Sequence, residues 1–215
     1  MRHKALLGLL FLSAVFLWAI GYAAQPSAGR WVAKAPMPTP RTEVATAALG
    51  GKIYVIGGFG GSGGIVEVYD PATDRWETRA ALPEPLHHTT ATAVGGRLYV
   101  IGGYSGGWNP ASSVFEYDPA TDRWRSRSPM PTARSGIAGA ALGGRLFVFG
   151  GEAPAGTFHQ TEAYDPAADR WSTLTPMPTA RHGLGAAVVG GMIYVIGGGP
   201  RPGGSYSAVN EAFLP

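Results

Sequence analysis

The chain has 215 residues, 45% of them apolar, which is enough for one domain with a sizeable core. Its formal charge is +3, and once Arg2 and Lys4 are set aside 15 basic residues face 14 acidic ones. Such a near-neutral body carries no basic footprint, so nucleic acid is excluded as a partner. The lack of cysteine excludes disulfides, thiolate metal ligands and cysteine nucleophiles.

The N-terminus opens with a short basic stretch, Met1 to Lys4, followed by an uncharged run from Ala5 to Ile20. Small residues at Gly21 and Ala23 complete the pattern of a secretory signal peptide over residues 1–23, with a short linker at 24–30. An uncleaved anchor is the alternative, since residues 5–24 are about long enough to cross a bilayer. Membrane contact, if any, is confined to that run, and the protein is secreted, periplasmic or anchored.

Beyond the linker the sequence repeats. Double glycines end a short apolar run at Gly57-Gly58, Gly102-Gly103, Gly150-Gly151 and Gly197-Gly198, with spacings of 45, 48 and 47 residues. Four strands are legible in a repeat. The first is small and apolar, as in Val44 to Leu49, and suits a crowded position near an axis. A Gly-Gly pair such as Gly50-Gly51 follows, as primed hairpin turns require. The second strand, as in Ile53 to Ile56, is uniformly apolar and reads as central. A variable loop leads to a third strand ending in Tyr-Asp-Pro, and Trp76, Trp124 and Trp171 open the fourth. The 33 glycines and 18 prolines therefore mark turns in an all-β fold rather than disorder.

The two termini are complementary. Trp31 to Pro38 has the pattern of the end of a repeat without its beginning, whereas the fourth repeat stops at Pro215 before its tryptophan. The N-terminal segment is thus expected to supply the fourth strand of the last sheet.

The double glycine, Tyr-Asp-Pro and tryptophan, repeated from Trp31 to Pro215, resemble the kelch family. That resemblance implies a β-propeller with blades of four strands, often closed by a strand from the opposite terminus. Kelch rings commonly have six or seven blades, and only four are encoded here. A compact four-bladed ring, an incomplete propeller and assembly with another chain all fit the sequence.

Strand order places the post-glycine loops and the segments after Met-Pro on one rim. Its candidate ligand-binding residues are Arg41 and Glu43, His87 and His88, Arg134, and Arg181 with His182. The variable loops add Trp108 and Asn109, Phe158 and His159, and Arg201 with Tyr206. Arginine at three equivalent positions also reads as a brace between blades, and the recurrent Glu67, Glu116, Glu162 and Glu211 read as scaffold. The histidines form no metal signature, and no catalytic residue, metal or cofactor is assigned. The leading reading is a non-catalytic module that binds a protein or glycan, and self-association follows if the ring is incomplete. The alternative, implied by the resemblance, is a sugar isomerase or mutarotase like the periplasmic kelch sialic-acid mutarotases. The family's copper oxidases are a poor fit, because their cofactor needs a cysteine.

Overall fold

The computed structural model describes residues 29–215. The signal-peptide and anchor readings, and most of the linker, fall outside them. Among the described residues no helix is long and apolar enough to cross a membrane. The chain divides into two units, Met1–Ala33 and Lys34–Pro215. In the first, residues 29–33 are exposed and without regular structure.

The second unit is all-β and consists of four antiparallel blades, as the repeats require. The first blade contains β1 (Ala45–Leu49), β2 (Lys52–Ile56), β3 (Val66–Asp70) and β4 (Arg75–Arg79). The second contains β5 (Thr90–Val94) and β6 (Arg97–Ile101), a small hairpin of β7 (Tyr104–Ser105) and β8 (Asn109–Pro110), then β9 (Val114–Asp118) and β10 (Arg123–Ser126). The third repeats this plan with β11 (Ala138–Leu142), β12 (Arg145–Phe149), the hairpin β13 (Glu152–Ala153) and β14 (Gly156–Thr157), β15 (Thr161–Asp165) and β16 (Arg170–Thr173). The fourth contains β17 (Gly185–Val189), β18 (Met192–Ile196) and β19 (Asn210–Phe213).

Turn chemistry sets the strand register. Gly50 and Gly51 have φ of 59° and 75°, so the β1–β2 turn is two residues long and pairs Leu49 with Lys52. At the far end of β2, a Cβ on Gly57 would lie 2.3 Å from the Leu86 carbonyl of the next repeat, a close approach that only glycine permits. The Gly58 amide donates to that same carbonyl at 2.9 Å, and Gly103 and Gly151 repeat the bond to Arg134 and Arg181.

The core is divided among the junctions between consecutive blades. Tyr54, Ile56 and Val68 meet Leu98, Val100 and Tyr117 between the first and second blades. Tyr99 and Ile101 meet Leu146, Val148 and Tyr164 at the next junction, and Phe147 and Phe149 meet Ile193 and Val195 at the last. Each outer-strand tryptophan fastens a repeat to the one before it. Trp76, Trp124 and Trp171 donate Nε1–H to the Ala35, Ala80 and Ser128 carbonyls, each at 2.8 Å. Beside them Asp74, Asp122 and Asp169 accept the amides of the same three residues.

One expectation needs correction. Ala35 takes the place of Ala80 and Ser128 against the first blade, but the fourth sheet has three strands, ordered β17-β18-β19. The N-terminal segment at Trp31 adds no strand to it, since residues 29–33 form none. The hydrogen bonds that hold Ala35 come from Asp74 and Trp76, so this anchoring needs no pairing with β19.

Candidate functional site

Pseudo-symmetry gives the rim three slots per blade, each held by the same backbone geometry and each filled differently. In the first slot stand Thr42, His87, Ser135 and His182, which pair as isolated bridges with Phe59, Tyr104, Glu152 and Gly199 in the second. In the third stand Glu43, His88, Gly136 and Gly183, all with positive φ. These last four are joined by backbone hydrogen bonds: His88 N–H donates to Glu43 O, Gly136 N–H to His88 O at 2.9 Å, and Gly183 N–H to Gly136 O at 2.7 Å.

Glycine is the residue that the third slot favours, and two blades use it. Glu43 and His88 adopt φ of 53° and 52° there, at a cost on the order of 1–2 kcal/mol each. Strained side chains of this kind collect at functional sites. Here they place an imidazole beside a carboxylate, with His88 Nε2 3.5 Å from Glu43 Oε2. On the third and fourth blades the first and second slots supply a similar pair, His182 Nε2 lying 3.4 Å from the buried Glu152 Oε2.

Hydrogen bonding fixes the tautomers. His87 Nε2 lies 2.7 Å from the Gly107 carbonyl, which can only accept, so this nitrogen carries the proton. Burial lowers the His87 pKa from its ordinary value and favours the neutral ring. Its Nδ1 is then an acceptor, and the His88 Nδ1 at 2.7 Å must donate to it. His88 Nε2 is left facing the Glu43 carboxylate. His182 reaches the same state, because its Nδ1 donates to the Gly199 carbonyl at 3.1 Å.

Aromatic rings surround the first pair. Phe59 stacks on His87 with centroids 3.9 Å apart, and exposed Trp108 stands 5.1–5.8 Å from Phe59, His87, His88 and Tyr104. Next to them a cleft of about 360 Å³ lies between the Gly58–Gly63 loop and the Ser105–Gly107 turn, with His87 in its wall. That volume falls within the usual range for a small-molecule pocket, roughly 300–1,000 Å³. Burial pushes the Tyr104 hydroxyl above its ordinary value.

The other candidates have different placements. The guanidinium groups of Arg41, Arg134 and Arg181 are fully buried and paired with Glu67, Glu162 and Glu211, so they face no ligand. Nor do they bridge blades through these side chains, because each bonds within its own blade, as Arg134 does to Gly150 O at 2.7 Å. The recurrent glutamates thus accept arginine rather than glycine amides. In the second blade Leu86 replaces the arginine, and Glu116 turns to Arg127 Nε at 2.6 Å. Asn109 is occupied within its hairpin, donating to Gly106 O at 3.1 Å. Phe158 is half-buried and His159 exposed, and their backbone carbonyls accept the Arg181 and Met177 amides. Arg201 and Tyr206 are exposed on the fourth blade's loop, which reaches the second pair through Gly203 N–H donating to Glu152 at 3.0 Å.

Phe59, Ser135 and Glu152 belong to the site although the sequence reading did not assign them to it. The available signal was their position, directly after a double glycine or after the buried arginine.

Four radial blades, with double glycines at the blade junctions and a varied mouth, define a kelch-type β-propeller scaffold. The chain belongs to the kelch-repeat family: residues 25–198 match the family described as the KLHDC2/KLHL20/DRC7 Kelch-repeats domain. No curated protein matches it. Among solved structures it is similar to that of YjhT, with a TM-score of 0.69 and 21% identity over 79% of this chain. This chain spans 63% of the YjhT chain, and at such identity the likeness carries the fold. The expectation of a module without catalysis is corrected by the mouth itself, which carries two imidazole–carboxylate pairs that the sequence left unassembled.

Proposed function

We propose that the rim catalyses proton transfer on a sugar, interconverting its anomers as a mutarotase or related isomerase does. The observation that carries this reading is the pair of His Nε2–carboxylate contacts, Glu43–His88 and Glu152–His182, held by backbone slots at the mouth. Ring opening needs a proton delivered to the ring oxygen and another withdrawn from the anomeric hydroxyl as the bond from the anomeric carbon to the ring oxygen breaks. Reclosure on the opposite face reverses both transfers. One pair serves as donor and the other as acceptor, and each regains its starting state over a full turnover. Trp108 and Phe59 provide apolar surface for a sugar face, and the exposed Arg201 is a cation available to an acidic sugar.

The test is anomer exchange measured by saturation-transfer NMR over a panel of neutral and acidic monosaccharides. Glu43→Gln and His88→Asn, the latter tolerant of positive φ, should each slow exchange about 10²–10⁴-fold. No acceleration over buffer with any sugar, or variants as fast as the parent, would refute the reading. The same proposal places the enzyme outside the cytoplasm, on the strength of residues 1–23. A mature N-terminus that retains the apolar run would count against export with cleavage.

A further inference from the structure

Alternation along the strands gives every blade one face toward the preceding blade and one toward the following blade. The last residue of each second strand lies on the following face. There Ile56, Ile101 and Phe149 are 0%, 1% and 0% exposed, whereas Ile196 of the fourth blade is 49% exposed. Around it Ala187, Val189, Asn210 and Ala212 are exposed as well. The carbonyls that crowd Gly57, Gly102 and Gly150 have no counterpart at Gly197, where the nearest atom to a Cβ would be 4.0 Å away.

The first blade shows the complementary defect. Leu98, Leu146 and Ile193, on faces toward a preceding blade, are 0%, 1% and 0% exposed, while their equivalent Ile53 is 40% exposed. Thr46 and Ala48 beside it are also exposed. Among the described residues three apolar junctions each set a following face against a preceding face, and one face of each kind is left exposed.

We infer that these two faces meet between copies of this chain, head to tail, with the fourth blade of one copy packed on the first blade of the next. Both surfaces are built from the same repeat that packs in this mode three times within the chain. Their exposed residues, Ala187, Val189, Ile196 and Ala212 on one side and Ala48 and Ile53 on the other, carry no charge that would need desolvating. A following face does not meet another following face anywhere in the fold, so the contact is heterologous, and its rotation decides whether a ring closes.

Sedimentation equilibrium on the full chain tests this, with Ile53→Glu and Ile196→Glu as variants. Both substitutions fall at exposed positions, and thermal unfolding of each variant checks that it is folded. The parent should associate with increasing concentration, and each variant alone should be monomeric. An equimolar mixture of the two should form a complex of two chains and no larger species, because each supplies the face that the other retains. A parent that stays monomeric at every concentration reached, as expected if an unlike protein covers these faces, would overturn the inference. So would loss of association on Ile196→Glu alone with Ile53→Glu unaffected, the signature of a symmetric contact.

Discussion

Replacing Arg134 with leucine tests whether the buried arginine holds its own blade together. The Arg134 guanidinium is fully buried and donates to Glu162 Oε2 at 2.5 Å, Gly150 O at 2.7 Å and Thr132 O at 2.9 Å. Burial lowers the Arg134 pKa, so taking the charge out of water offsets part of what the ion pair contributes. Breaking the pair is a different matter, because Glu162 is left buried with the Thr132 hydroxyl at 2.8 Å as its remaining partner. Loss of one member of a buried pair costs about 3–5 kcal/mol, or roughly 6–20 °C in Tm for a domain of this size. The second blade shows how leucine can be accommodated: Leu86 stands in the arginine position, and Arg127 approaches Glu116 from the outer strand instead. Leu174 holds the position of Arg127 in the third blade, each donating its amide to the start of the third strand. Arg134→Leu combined with Leu174→Arg should therefore recover a substantial part of the loss. Urea unfolding followed by tryptophan fluorescence measures both variants. A single-variant cost below about 1 kcal/mol, within the range of ordinary surface changes, would refute the reasoning, as would a double variant no more stable than the single.

Two further outcomes follow from the same geometry. Gly144→Ala and Gly150→Ala both place alanine at positive φ, 78° and 58°, but Gly144 faces open space whereas a Cβ on Gly150 would lie 2.4 Å from the Arg181 carbonyl. The first should cost about 1–2 kcal/mol and the second at least ~2 kcal/mol more, as read from denaturant midpoints; equal costs would mean that the blade junction yields easily. In acid, the Tyr117 hydroxyl, with the Ala80 amide, holds the Asp122 carboxyl below its ordinary value. The unfolded chain then binds more protons than the folded one, so this contribution is full above about pH 4 and is lost as pH falls through the lowered folded value. Tyr117→Phe should be less stable than the parent at pH 6, and the gap should narrow toward pH 2; a gap independent of pH would show that packing alone is involved.

Much of this fold was legible in the chain because the features that specify it are local. Gly50-Gly51 dictates a two-residue turn, Ile53 to Ile56 a central strand, and Asp70 the turn that it caps by accepting the Ala72 amide at 2.9 Å. Four copies of such local rules specify four blades. His88, His182 and Glu43 of the proposed site could also be named from their place on the rim, but Glu152, the partner of His182, could not. Glu152 and His182 are thirty residues apart, and only the stacking of the third blade on the fourth brings them to 3.4 Å.

The sequence by itself determined the repeat, its strands and turns, and the rim on which chemistry is concentrated, since each depends on residues a few positions apart. Tertiary structure decided that the three rim arginines turn inward, that Glu43 and His88 stand strained in slots that favour glycine, and that the Trp31 segment adds no strand to the last blade. Those outcomes depend on which surfaces meet across blade junctions, where burial and long-range hydrogen bonds outweigh any preference encoded within a single repeat.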